Sequence, residues 1–211
     1  MGDLDACVAW AGTHGGNIDK LGVTGFCWGG RIVWLYAAHN PNVKAAVAWY
    51  GRLVASTAGN NPALTPRQPV DIATNLKVSV LGLYGGKDGG IGLDTIEQMQ
   101  VMQAKGSSNS EFVVYPDAGH AFYADYRPSY MEAAARDGWQ RCLSHFEAHG
   151  VVFKKSRRSK GSDNGVLFIR LSKSCFIYDI SILQKNDNRH NSVSCKSKNE
   201  QNHNYFCPKV I

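Results

Sequence analysis

The segment Gly25-Phe26-Cys27-Trp28-Gly29-Gly30 joins an apolar run to a helical pattern. Its spacing, Gly-x-nucleophile-x-Gly, is that of a nucleophile elbow, with Cys27 where serine is more usual. A sharp strand-to-helix turn strains the backbone, so it needs small residues two places to either side of the nucleophile. The turn lifts the sulfur clear of the sheet. The helix N-terminus that follows favours a thiolate over a thiol, and the backbone N–H of Trp28 points to where an oxyanion would form. The alternative reading is a buried cysteine in a tight βα turn.

Two other side chains fit the same chemistry. Asp88 lies in Gly85-Gly86-Lys87-Asp88-Gly89-Gly90, where an acid can orient a histidine; the alternative is a solvated turn aspartate. Asp94 is a rival, but its place before Ile96 suits a helix cap, and Asp71 lies in a proline-rich stretch. His120 lies in Ala118-Gly119-His120-Ala121-Phe122, and the preceding glycine permits an unusual backbone angle or a close approach. A capping or surface role is the alternative for His120, and it suits the other histidines better. His39, His145 and His149 fall in last helix turns, where a cation suits the dipole, and His14 sits in a Gly-rich turn. Nucleophile, acid and histidine thus follow one another in the chain order of an α/β-hydrolase.

Positioning these groups requires alternating strands and helices. Val23-Thr24-Gly25-Phe26 is the end of a short buried strand, and a helix runs from Trp28 to about His39, stopped by Asn40-Pro41. Val43 to Trp49 is a second strand, and residues 52–75, with Pro62, Pro66 and Pro69, are a surface excursion. Val78 to Tyr84 is a third strand. Asp94 to Glu97 resembles the start of a helix that Gly106 ends, and Glu111 to Tyr115 is a fourth strand. Ser129 and Glu132 form a capping box for a last helix, closed by Gly150. The fold class is α/β, a partial α/β-hydrolase fold with a mostly parallel sheet flanked by helices. In such sheets ligands sit beyond the carboxyl ends of the strands, which is where Cys27, Asp88 and His120 fall.

The 211 residues suggest one domain with a tail, and 44% hydrophobic against 19% charged residues fits a packed core. The net charge of +6 is not an average. Residues 1–155 carry 13 Lys+Arg against 13 Asp+Glu, whereas residues 156–211 carry 10 against 4. All alanines and tryptophans lie before residue 156, and the last segment is rich in Asn and Ser. The sequence therefore divides into a neutral α/β domain, 1–155, and a basic tail, 156–211, with the character of unrelated coding sequence and disorder as its default. The apolar runs are too short for a membrane span. The acidic N-terminus lacks a secretory pattern, which points to the cytoplasm. Six cysteines, irregularly spaced, do not form a small disulfide scaffold.

The stretches Gly-Phe-Cys-Trp-Gly-Gly (25–30), Ala-Ala-Val-Ala-Trp-Tyr-Gly (45–51), Leu-Tyr-Gly-Gly-Lys-Asp (83–88) and Tyr-Pro-Asp-Ala-Gly-His-Ala-Phe (115–122) resemble the dienelactone hydrolase family, over residues 3–150. The resemblance implies Cys27 as nucleophile, His120 as general base, Asp88 as its orienting acid and Trp28 as an oxyanion-hole donor. Small esters or lactones would be the substrates, cleaved through a thioester with no metal or organic cofactor. Trp49, Tyr50, Phe122 and Tyr123 would wall an apolar pocket, with ordinary core packing as the alternative for each. Family members carry several strands and helices before the elbow strand, whereas here residues 1–22 alone precede Val23. The second oxyanion donor, an activating glutamate and part of a carboxylate clamp come from that segment in the family. The family's arginine after the histidine is unmatched, since position 124 is Ala and Arg127 is only a neighbour. A weak or inactive hydrolase is expected, with an apolar edge beside the elbow strand open to self-association.

The tail opens with a basic run, Lys154 to Lys160, read as a solubilising linker, so no nucleic-acid partner is expected. Val166–Leu171 and Phe176–Leu183 have the composition of strands or a hairpin, and Cys175, Cys195, His203 and Cys207 are spaced poorly for zinc. Competing with the hydrolase are a non-catalytic interaction module and a tail-driven nucleic-acid binder.

Overall fold

The structure is a computed structural model that describes residues 1–56 and 65–151, and the backbone alone at 165–171, 177–183 and 192–196. Among the described residues four helices, α1 (Gly2–Thr13), α2 (Trp28–His39), α3 (Leu93–Gln103) and α4 (Glu132–Ala148), alternate with strands β1 (Gly16–Phe26), β2 (Val43–Trp49), β3 (Ser79–Gly85) and β4 (Glu111–Tyr115). A 3-10 turn at Pro69–Asn75 lies between β2 and β3. Three tail strands, β5 (Gly165–Leu171), β6 (Ile177–Leu183) and β7 (Ser192–Lys196), complete a sheet of order β4-β3-β2-β1-β5-β6-β7. β4 through β5 are parallel, and β5-β6-β7 is antiparallel.

β2 reads Val-Lys-Ala-Ala-Val-Ala-Trp and is buried on both faces apart from Lys44, as a central parallel strand should be. The last strand residues before the elbow, Leu21 to Gly25, are buried likewise. The helices cover opposite faces. Trp34 of α2 stacks on Phe112 of β4 and its indole N–H donates to the Tyr84 hydroxyl, which in turn donates to the Gly51 carbonyl (3.0 and 3.1 Å). On the other face Trp49 meets Gly138 of α4, and its N–H reaches the Thr24 hydroxyl, which donates to the Val47 carbonyl. Each buried polar atom in these chains has a partner, which removes the desolvation cost it would otherwise carry.

Several expectations change. Helix α1 precedes the elbow strand, and β1 begins at Gly16. The expected open edge beside β1 is filled by β5, so a strand whose sequence is buried and apolar has neighbours on both sides. β5 and β6 coincide with the two tail runs singled out for their strand composition; apart from the backbone of β5, β6 and β7, the tail, including the basic run and the side chains of its cysteines and His203, lies outside the described residues. Neither expected cap forms. Gly92 caps α3, leaving Asp94 in its first turn, and Met131 caps α4 without a side-chain bond. His145 is buried, with Nε2 against the Ser79 carbonyl; burial lowers its pKa, so it is a packed core histidine rather than an end-of-helix cation.

The elbow depends on two glycines. A Cβ on Gly30 would lie 2.5 Å from the Trp49 carbonyl oxygen, and one on Gly51 would strike the backbone of Gly30 and Arg31. Gly30→Ala is therefore expected to lower stability by about 1–3 kcal/mol, read from urea denaturation; an unchanged midpoint would show that the turn relaxes freely.

Candidate active site

Cys27 lies between β1 and α2, as the N-cap of α2, with φ 54° and ψ −116°, the strained geometry of an elbow. Its N–H donates to the Trp49 carbonyl (3.0 Å) and its carbonyl accepts from Arg31 N–H (3.2 Å), so backbone bonds on both sides hold the turn. The residue is 8% exposed. Trp28 is the first residue of α2, where a backbone N–H has no partner within the helix. Its ring is half exposed and lies over the Arg31 guanidinium at 5.1 Å.

Asp88 follows β3 and its side chain is almost wholly buried. One carboxylate oxygen accepts Gly90 N–H (2.8 Å), and the other accepts His120 Nδ1–H (2.7 Å). The Cys27 side chain lies beside the same imidazole, and with Nδ1 engaged by Asp88 the nitrogen left to face it is Nε2. Asp88 first, then Cys27, favour the protonated ring and outweigh desolvation, raising the His120 pKa to about 9. The loops that carry the acid and the histidine are fastened to each other. Gly86 N–H donates to the Tyr115 carbonyl, Lys87 N–H to the Ala118 carbonyl, and Lys87 pairs with Asp117 at 2.8 Å. A Cβ on Gly86 would lie 2.6 Å from the Pro116 carbonyl oxygen, so the close approach requires glycine there.

The three side chains singled out from sequence thus converge, and the rivals have other duties: Asp71 accepts from Gln68 N–H at the 3-10 turn, and Asp94 sits in α3. Tyr50 is buried and packs edge-on against His120, and Tyr123 is half-buried, stacked on Phe26. Trp49 and Phe122, like Tyr50, are fully buried, which leaves Tyr123 as the partly exposed member of the aromatic set. Arg31 is a group that the sequence reading missed. It is buried, with a guanidinium N–H donating to the Arg67 carbonyl (2.6 Å) and to Gln68 Oε1, and burial lowers its pKa while Asp71 opposes. A charge among the apolar residues of α2 was the available signal. Among the described residues no three His, Cys, Asp or Glu side chains converge as a metal site.

This elbow, acid loop and histidine loop at the ends of parallel strands define an α/β-hydrolase-type site. The family model of the dienelactone hydrolase family matches residues 1–150, and the chain belongs to that family. A Salmonella typhimurium protein named "Putative carboxymethylenebutenolidase" is 56% identical over 150 residues, 71% of this chain and 54% of the relative. One of the same name from Methylorubrum extorquens is 58% identical over 153 residues, 72% of this chain and 51% of the relative. The chain therefore spans about half the length of the curated relatives it matches. The crystal structure of a "Putative Dienelactone Hydrolase" from Klebsiella pneumoniae superposes with a TM-score of 0.64 at 56% identity, covering 69% of this chain and 59% of the other.

The ring of His120 should titrate near pH 9 by NMR. Its pKa is raised above the ordinary 6.5, so the stability it contributes is complete below pH 6.5 and lost as pH rises through about 9. Asp88→Asn should bring the midpoint down toward the ordinary value; an unmoved midpoint would mean that Asp88 is not its cause.

Proposed function

We propose that this chain carries the reaction centre of a hydrolase for small esters or lactones, with Cys27 as nucleophile, His120 as base and Asp88 as the acid that orients it. One observation carries the reading: a single imidazole is hydrogen-bonded to a buried carboxylate and lies beside a cysteine held in an elbow. An ionised sulfur beside a protonated imidazole is the reactive form of such a pair.

The Cys27 thiolate attacks the carbonyl carbon and forms a C–S bond, and the carbonyl electrons move to oxygen. Trp28 N–H is one donor to that oxyanion. Collapse restores the carbonyl, breaks the C–O bond and expels an alkoxide or enolate, which takes the proton from His120. A thioester remains. His120, now neutral, removes a proton from water as the water attacks the thioester carbon; the C–S bond breaks, and the acid and the thiolate–imidazolium pair are released. Asp88 keeps Nδ1 protonated, so Nε2 is the atom that exchanges protons. Trp49, Tyr50 and Tyr123 are assigned to the substrate side of the site, Tyr123 being the partly exposed one, and small-molecule esters or lactones are its ligands. The names of the relatives support the lactone class.

Because the chain spans half of its relatives, rates are best compared between this chain and its own variants. With dihydrocoumarin as probe, Cys27→Ala should fall to the buffer rate and His120→Ala should lose about 10²–10⁴ in kcat. A Cys27→Ala variant as fast as the parent would overturn the assignment. A parent no faster than buffer would favour the non-catalytic reading.

A further inference from the structure

Among the described residues, three non-glycine residues have a left-handed backbone: Cys27 (φ 54°), Tyr50 (φ 37°) and Ala121 (φ 63°). All three lie at the site. Cys27 is the elbow and Ala121 follows His120. Tyr50 has no part in the bond-making steps, yet it is the bulkiest of the three and the one for which this conformation is hardest to accommodate. Such strain persists only where the surroundings over-determine it, and it concentrates where geometry matters to function.

We propose that Tyr50 is a positioning residue for His120, its left-handed backbone setting the phenol ring edge-on against the imidazole and keeping that imidazole between Asp88 and Cys27. The inference rests on the assignment of those three groups as the reacting set. It goes beyond a role in lining the pocket.

The surroundings fix the Tyr50 ring tightly. Its N–H donates to the Leu83 carbonyl at 2.7 Å, a bond that ties the end of β2 to β3. The next residue, Gly51, is pressed against the backbone of Gly30 and Arg31, so the chain must turn sharply at Tyr50 to pass beneath α2. The ring is 2% exposed. It lies 5.3 Å from the His120 ring at 64° and 5.2 Å from Phe122 at 71°, both edge-to-face arrangements, with Phe26 at 6.0 Å on a further side.

His120 needs this support. Asp88 holds one nitrogen through one bond, which leaves the ring free to swing about that bond, and the side chain is one-third exposed. An aromatic edge that is itself immobile closes the swing. The groups facing Tyr50 are His120, Cys27, Tyr123, Tyr126 and Arg127. Burial, followed by the charge of Cys27, pushes the Tyr50 hydroxyl well above its ordinary pKa, so the wall stays neutral beside a protonated imidazole.

The test uses the full chain with three substitutions. Tyr50→Phe retains the ring. Tyr50→Gly and Tyr50→Asn remove it, and both residues tolerate a left-handed backbone, so the turn itself is preserved. Three quantities are read: the rate at which iodoacetamide alkylates Cys27 at pH 7, resolved by peptide mass spectrometry; the NMR titration of His120; and kcat and KM for dihydrocoumarin. Tyr50→Phe, which keeps the ring, should keep the parent's Cys27 alkylation rate and His120 titration. In whichever of the Gly and Asn variants shows the parent's circular dichroism, Cys27 alkylation should slow by about tenfold, the His120 midpoint should fall by about one pH unit, and kcat should drop more than KM rises. A folded Gly or Asn variant with the parent's alkylation rate and titration overturns the positioning role while leaving the reacting set intact. A parent in which Cys27 is alkylated no faster than the buried Cys142 overturns the reacting set, and this inference with it.

Discussion

One hydrogen bond, from His120 Nδ1–H to Asp88, holds the rest of the site together. It joins the loop after β3 to the loop after β4, and it is the partner that makes a nearly buried carboxylate tolerable. Without it Asp88 would be a buried charge satisfied only by Gly90 N–H, a costly arrangement. In the proposed mechanism the bond also sets the direction of proton traffic. With Nδ1 engaged, the other nitrogen is left for the sulfur, and the ring gains a proton more readily than an ordinary histidine. Backbone bonds between the two loops and the Lys87–Asp117 pair work toward the same end, although an exposed pair of that kind contributes little alone.

A rigid frame makes this possible. Parallel strands buried on both faces, crossed by α2 on one side and α4 on the other, bring three loops to one end of the sheet. The frame is closed by backbone contact where side chains would not fit: Gly30 against Trp49 and Gly51, Gly86 against Pro116. Strain then collects at Cys27, Tyr50 and Ala121. The core beneath is aromatic and its polar tips are paired, so the strained turns rest on a support that cannot easily yield.

Much of this was legible in the sequence. β2, β4 and α2 follow from continuous apolar runs and from helix signals that stop at Asn40-Pro41, and the order of Cys27, Asp88 and His120 follows from short motifs at strand ends. Helix α1 is masked by the acidic start of the chain, although Leu4, Cys7, Val8 and Ala11 are buried at helical spacing. The capping residues misled because Asp94 and Ser129 fit the local rule, whereas the entry angle of each helix is set by packing. Trp49 follows β2, and alternation along that strand sets its ring against α4. The approach of His120 to the elbow is a tertiary fact that no local pattern encodes. The pairing of β5 with β1 is of the same kind.

The covalent intermediate tests the central claim most directly. Full-length chain mixed briefly with p-nitrophenyl acetate and quenched in acid should yield, by peptide mass spectrometry, an acetyl group on Cys27 that hydroxylamine removes, and the adduct should accumulate further in His120→Ala at a pH high enough to ionise the thiol. An acetyl group distributed over lysines and other cysteines, with Cys27 unmodified, would contradict the account.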